Sequence, residues 1–318
     1  MMHFNEEMAQ SLKGRDFLML VDYSPEELRY LIDLAIDLKK RLEAGEIYQP
    51  LRGKTLGMIF EKSSTRTRVS FETGIYQLGG QGLFLSSNDL QIGRGETIWD
   101  TAQTLSRYLD GIMIRTFAHR NVVELARGAM VPVINGLTDL SHPCQALADY
   151  QTILEKKGRL EGIKLAYIGD GNNVVHSLMM GGAKFGVNVA IATPEGYEPD
   201  EDLVKQTQAN AAETGATLQV YRDPKEAIAD ADVIYTDVWA SMGQEAEQQE
   251  REAAFSAFQI NEDLVKYAKA DYLFMHCLPA HRGEEVSEGV IDGDHSVIFD
   301  QAENRLHAQK AIMAAIMA

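Results

Sequence analysis

Short apolar runs alternate with amphipathic stretches along most of the chain. LGMIF (56–60), GLFLS (82–86), DGIMIRT (110–116) and VPVINGL (131–137) have strand length and no strict polar alternation. Between them lie helical patterns: one through Phe71, Ile75 and Leu78 closed by Gly79-Gly80, one from about Thr97, and one over 119–129. Ahead of the first run, Ser24-Pro25-Glu26-Glu27 reads as a capping box with proline at the first helical position. Leu28, Leu31, Ile32, Ala35 and Leu38 follow it at helical spacing. A helix from about Cys144 to Lys156 ends at Gly158, and the pattern restarts. IKLAYIGDG (163–171), VNVAIATP (187–194), ATLQVYR (216–222), DVIYTDVW (232–239), YLFMHCLP (272–279) and SVIFD (296–300) form a second set of expected strands.

Strands that are apolar almost throughout predict parallel sheets covered on both faces. The expected fold is therefore α/β, with two doubly wound parallel-sheet domains linked by helices. The domains are expected at 1–146 and 147–301, with a last helix over 302–318 packing back on the first.

With 45% hydrophobic and 24% charged residues, the composition is that of a soluble globular protein. No apolar run is long enough to span a bilayer. The polar, acidic start MMHFNEEMAQ lacks the apolar core of a signal peptide, and Cys144 and Cys277 suggest no disulfide framework. A cytoplasmic protein with free thiols is expected. The net charge of −17 argues against nucleic acid or an anionic membrane as partner. It leaves a small anion open, and makes a local arginine cluster more informative.

That cluster is SSTRTR (63–68), placed where a strand hands over to a helix. A helix start offers unpaired N–H groups and a positive dipole end; hydroxyls and the Arg66 guanidinium add donors for an anion. A capped helix with surface arginines would read the same way. In SHPCQALAD (141–149), His142 and Gln145 share one helix face, suited to a carbonyl oxygen and an NH₂ group, although a His-Pro at a helix start is commonly structural. IGDGNNVVHS (168–177) lacks the GxGxxG spacing of a dinucleotide turn, so it is expected as a polar pocket edge with Asn173 available, or as a plain turn. DVWASMGQE (237–245) and MHCLPAHRGEE (275–285) both leave strand ends, where open α/β sheets bind ligands. Arg305, on the last helix, is by default a surface residue. Two histidines without paired cysteines make a poor metal site.

Together FEKSSTRTRVSFE, HPCQALAD, DVWASMGQE and MHCLP resemble the aspartate/ornithine carbamoyltransferase family, in its order and over nearly the whole chain. The Ser-Met-Gly turn and HCLP point to its ornithine branch. The resemblance implies a carbamoyl phosphate-binding domain followed by an ornithine-binding one. It implies Ser64, Thr65, Arg66, Thr67, Gln91, Arg115, His142, Pro143, Cys144, Gln145, Cys277, Leu278 and Arg305 as carbamoyl phosphate ligands. Asn173, Asp237, Ser241 and Met242 would bind L-ornithine. Arg66, Arg115, His142, Asp237, Cys277 and Arg305 would be the catalytic set, with no metal and no cofactor. Gln91 would reach a neighbouring subunit, which implies a homotrimer or a multiple of trimers. Trp99 and Gln103 depart from the basic residues that relatives often carry after that loop. Putrescine, N-acetylornithine and aspartate are the alternative acceptors. A catalytically silent anion-binding protein on the same fold is the alternative of another class, and a nicotinamide dehydrogenase is disfavoured by the absent glycine fingerprint.

Overall fold

A computed structural model describes residues 6–88, 90–92, 95–241 and 244–318. The chain divides into two units, one of Met1–Gln151 with Glu303–Ala318, the other of Thr152–Ala302.

In the first unit, α1 (Glu6–Leu12) and α2 (Pro25–Glu43) precede the sheet. Ser24 builds the expected capping box: the Glu27 N–H donates to its Oγ (3.2 Å) while its own N–H donates to Glu27 Oε2 (2.8 Å). Then come β1 (Thr55–Phe60), α3 (Thr65–Gln77), β2 (Gln81–Ser86), α4 (Ile98–Leu105), β3 (Gly111–Arg115), α5 (His119–Gly128) and β4 (Val133–Leu137). The strands are all parallel, in the order β2-β1-β3-β4. Ile59, Ile112, Ile114, Val122, Leu125 and Val133 fill one face of this sheet. Full burial of such a side chain contributes about 1.5–3 kcal/mol. α6 (Pro143–Lys157) follows and runs past the division at residue 151.

The second unit holds β5 (Lys164–Ile168), α7 (Asn173–Phe185), β6 (Asn188–Ala192), α8 (Glu201–Thr214), β7 (Leu218–Tyr221) and α9 (Pro224–Ile228). β8 (Val233–Thr236), α10 (Gln248–Phe255), β9 (Leu273–His276) and α11 (Glu288–Ile291) complete it. Its five strands are also parallel, in the order β7-β6-β5-β8-β9. α12 (Ile298–Met317) begins in this unit and continues into the first.

SVIFD, expected as a strand, is not one. Ser296 makes a single bridge to Phe274, the Val297 N–H donates to the Phe274 carbonyl (3.0 Å), and the chain then winds into α12. A five-residue apolar run carries too little periodicity to separate a strand from the first turn of a buried helix.

In each sheet the winding reverses beside the central strand: between β1 and β3, and between β5 and β8. Such switch points leave a crevice at the strand carboxyl ends, where doubly wound sheets bind ligands. The turn after β5 is shaped by Gly171, where a Cβ would lie 2.3 Å from Glu198 C and Pro199 N. The glycine serves a close approach of two backbones. Because backbone cannot yield as a flexible side chain can, Gly171→Ala is expected to destabilise the protein by about 1–3 kcal/mol, read as a lowered denaturant midpoint with unchanged slope.

Candidate active site

In the first unit the chain leaves β1 through Ser64, which caps α3 by accepting the Thr67 N–H at 3.2 Å. Thr67 is buried, Ser64 and Arg66 are half-buried, and Thr65 is exposed at the helix start. The Ser64 hydroxyl donates to Thr67 Oγ1 (3.1 Å), which also accepts from Arg305 Nη2 (3.2 Å). Arg305 Nη1 donates to Gln145 Oε1 (2.7 Å), and the Gln145 amide donates to Asp149 Oδ1 (2.8 Å). Gln309, with its amide turned to satisfy its neighbours, accepts from Arg305 Nε at 3.1 Å. Arg305 is therefore buried, which corrects the default reading of a surface side chain. Arg68 pairs with Glu72 (3.2 Å) and lies over the Phe84 ring (3.8 Å).

Arg115 ends β3, opposite Phe60 of β1, and is buried. His142 immediately precedes α6, its carbonyl accepting the N–H groups of Gln145 and Ala146 at 3.2 Å. Burial holds its imidazole well below the usual histidine range, and the charges of Arg305, Arg115 and Arg66 push the same way. At neutral pH it is an uncharged ring among three guanidiniums. Pro143 and Cys144 open α6 and are buried. Burial pushes the Cys144 thiol up to about 12, and its Sγ donates to the Asn135 carbonyl (3.4 Å), so this side chain faces the interior. Gln91 is exposed on the loop after β2, and no described contact ties it to the cluster.

The second unit gathers a different set. Asp237 directly follows β8 and is buried. Its Oδ1 accepts from the Val238 N–H (2.8 Å) and the Cys277 thiol (2.9 Å), and its Oδ2 from the Asn172 amide (2.8 Å). Asn173 is the first residue of α7, and Ser241 takes the Gln244 side chain on its N–H (2.9 Å). Met242 lies outside the described residues. Asp170, mostly buried, has its carboxyl raised to about 6 by burial, against the opposing pull of Arg251, whose Nη1 lies 3.2 Å away.

Leu278 has a φ of 57°, a left-handed conformation costly for a non-glycine residue, and precedes a cis proline bond. Its N–H donates to His276 Nδ1 (2.8 Å), which leaves the ring proton on Nε2, facing the buried Glu285 Oε1 at 3.1 Å. Asp237, His276 and Cys277 bring three metal-capable atoms within 4.8 Å, as do His281, Glu284 and Glu285. In the first trio each atom already sits in the hydrogen-bond network just described. Asn172, His276, Glu285 and Gln309 were not among the expected site residues. Asn172 carried a local signal, an asparagine ahead of a helical run, which suits a cap, and His276 and Glu285 lay within MHCLPAHRGEE.

Residues 15–155 match the carbamoyl-P binding domain of aspartate/ornithine carbamoyltransferase, and residues 161–316 match its Asp/Orn binding domain. The chain belongs to the aspartate/ornithine carbamoyltransferase family. An ornithine carbamoyltransferase of Oceanobacillus iheyensis is 66% identical over 309 residues, 97% of this chain and 96% of its own length. One from Thermococcus kodakarensis is 63% identical over 98% of each chain. The solved ornithine carbamoyltransferase from Pyrococcus furiosus superposes with a TM-score of 0.94 at 60% identity, covering 96% of this chain and 98% of that one. In this carbamoyltransferase frame, the two switch-point clusters fall one in each matched domain.

The histidine gives a pH signature. Because its folded pKa lies below the unfolded value near 6.5, its contribution to stability is complete above that pH and is lost on acidification. Relative to His142→Gln, the wild type should lose about 1 kcal/mol more stability between pH 7.5 and 5.5 in chemical denaturation. Parallel pH profiles would contradict a buried neutral imidazole.

Proposed function

We propose that this chain transfers the carbamoyl group of carbamoyl phosphate to the δ-amine of L-ornithine, giving L-citrulline and phosphate. The observation that carries the reading is the convergence of Arg66, Arg115 and Arg305 on neutral His142, within residues matched to the carbamoyl-P binding domain. Ser64, Thr65, Arg66, Thr67 and the start of α3 hold the phosphate, since a capped helix start lined with hydroxyls supplies converging donors. Arg115, His142 and Thr67 face the carbonyl oxygen, with Gln145 on the carbamoyl NH₂ side and Arg305 completing the site near the reacting centre. A donor aimed at the developing oxyanion is typically worth about 3–4 kcal/mol.

The uncharged amine attacks the carbonyl carbon, a C–N bond forms, and the C–O bond to phosphate breaks as the tetrahedral intermediate collapses. The departing phosphate takes the amine proton, so no protein base is invoked. Asp237, joined to Cys277, orients the amine, and the backbone at Leu278 borders the reacting centre. Asn173, Ser241 and Met242 complete the ornithine side.

The enzyme works as a cytoplasmic homotrimer or multiple of trimers, with Gln91 reaching a neighbouring subunit. Edge strand β2 supports this, because Leu83 and Phe84 stay 39% exposed while Val69 and Tyr76 of α3 are more exposed still. Among the described residues no helix is long and apolar enough to cross a membrane.

Citrulline formation from carbamoyl phosphate should be robust with ornithine and at background with putrescine, N-acetylornithine and aspartate; equal rates with putrescine would overturn the acceptor. Arg66→Ala should lower kcat/KM for carbamoyl phosphate about 100-fold or more in a folded protein. Sedimentation at working concentration should give species of three 35.3 kDa chains or a multiple, and an active monomer would refute the Gln91 assignment.

A further inference from the structure

Asp237 is held from three directions, and the most consequential support is a residue outside the expected ornithine set. The Asn172 carbonyl oxygen caps α7, accepting the N–H groups of Val174 (2.9 Å) and Val175 (3.3 Å) and, more weakly, the Tyr167 hydroxyl (3.4 Å). With its oxygen committed to those donors, its amide NH₂ must face the other way, and it meets Asp237 Oδ2 at 2.8 Å. The opposite amide orientation would set donors against donors and an oxygen against a carboxylate. The cap therefore fixes which end of Asn172 the carboxylate sees.

A carboxylate offers about four acceptor directions. Among the described residues, Asp237 uses two on Oδ1, for Val238 and Cys277, and one on Oδ2, for Asn172. The remaining direction lies on the oxygen that Asn172 holds. Building on the reading of Asp237 as the group that orients the ornithine amine, we infer that Asn172 is a positioning residue for carbamoyl transfer. It ties the start of α7 to Asp237 Oδ2, so the helix cap sets where the amine is accepted.

Three variants separate the possibilities. Serine caps helices as well as asparagine, so Asn172→Ser keeps the cap and removes the donor to Asp237. It should lower kcat/KM for ornithine about 10-fold or more, the usual effect of losing a hydrogen bond to a charged group. KM for carbamoyl phosphate should stay within about twofold, and melting within a few degrees of wild type.

Asn172→Asp also keeps a capping oxygen but carries a titratable group, in a site that Asp237, Asp170 with Arg251, Cys277, Tyr167 and Glu285 already surround. Protonated, the new carboxyl can donate to Asp237 as the amide did; ionised, it cannot, and its charge opposes Asp237. The ratio of its ornithine kcat/KM to that of wild type should therefore rise as pH falls from 9 to 6. A purely structural role would not produce that rescue.

Asp237→Asn controls for the underlying reading. If Asp237→Asn impairs ornithine use while Asn172→Ser stays within twofold of wild type, Asn172 is only a cap and the inference is overturned alone. An Asn172→Ser loss falling equally on both substrates with lowered melting has the same consequence. Unchanged ornithine kinetics in Asp237→Asn would overturn the inference together with the reading beneath it.

Discussion

Parallel pairing delivers the carboxyl ends of neighbouring strands side by side, and both clusters of reactive side chains depend on its register. In the second sheet Thr236 pairs with His276, so the next residues, Asp237 and Cys277, leave adjacent strands together. Their carboxylate and thiol meet at 2.9 Å for that reason. In the first sheet Phe60 pairs with Arg115, and the Glu61 N–H extends the ladder to the Arg115 carbonyl (2.9 Å). A slip of one residue would turn every side chain of the strand to the opposite face and part both groups. The buried apolar strands that hold register are thus as necessary to these two groupings as the polar residues at their ends.

Charge is handled differently in the two units. Around His142 the guanidinium of Arg305 is satisfied by a hydroxyl and by amides, which accept its N–H groups without cancelling its charge. Burial first, and then the positive field so preserved, keeps the imidazole uncharged, able to donate a hydrogen bond without adding to the repulsion. In the second unit Asp170 is countered by Arg251, whereas the donors to Asp237 among the described residues are neutral: an amide, a backbone N–H and a thiol. A chain with net charge −17 thus carries a small cationic centre in one unit and a shielded anionic one in the other.

Much of this was legible because it is local. Short apolar runs gave the nine strands, and a serine three residues before a glutamate gave the cap of α2. The run at 296–300 misled because it spans a single bridge to Phe274 and the start of α12. Arg305 could not be placed from its surroundings, since Gln145 and Thr67 stand 160 and 238 residues away. Cys144 falls within a motif read for its side chains, yet its sulfur turns inward; a helix-start residue can contribute its backbone alone. Asn172 and Asn173 are adjacent and chemically identical in sequence. Only the capping geometry separates the one turned toward Val174 and Asp237 from its neighbour.

The division of the chain has a bearing on how the protein is made. The second unit is continuous in sequence, whereas the first needs residues from both sides of it. Thr67 and Gln145 emerge from the ribosome long before Arg305, and their hydrogen bonds to it must wait for α12. Closing so large a loop carries an entropic cost that grows only slowly with length, so stability suffers little, but non-local contacts of this kind form late. The second unit can fold as it is synthesised while the arginine-lined cluster remains one guanidinium short. During synthesis, the hydrogen-bonded cluster of Thr67, Gln145 and Arg305 is therefore completed last, as a consequence of chain connectivity alone.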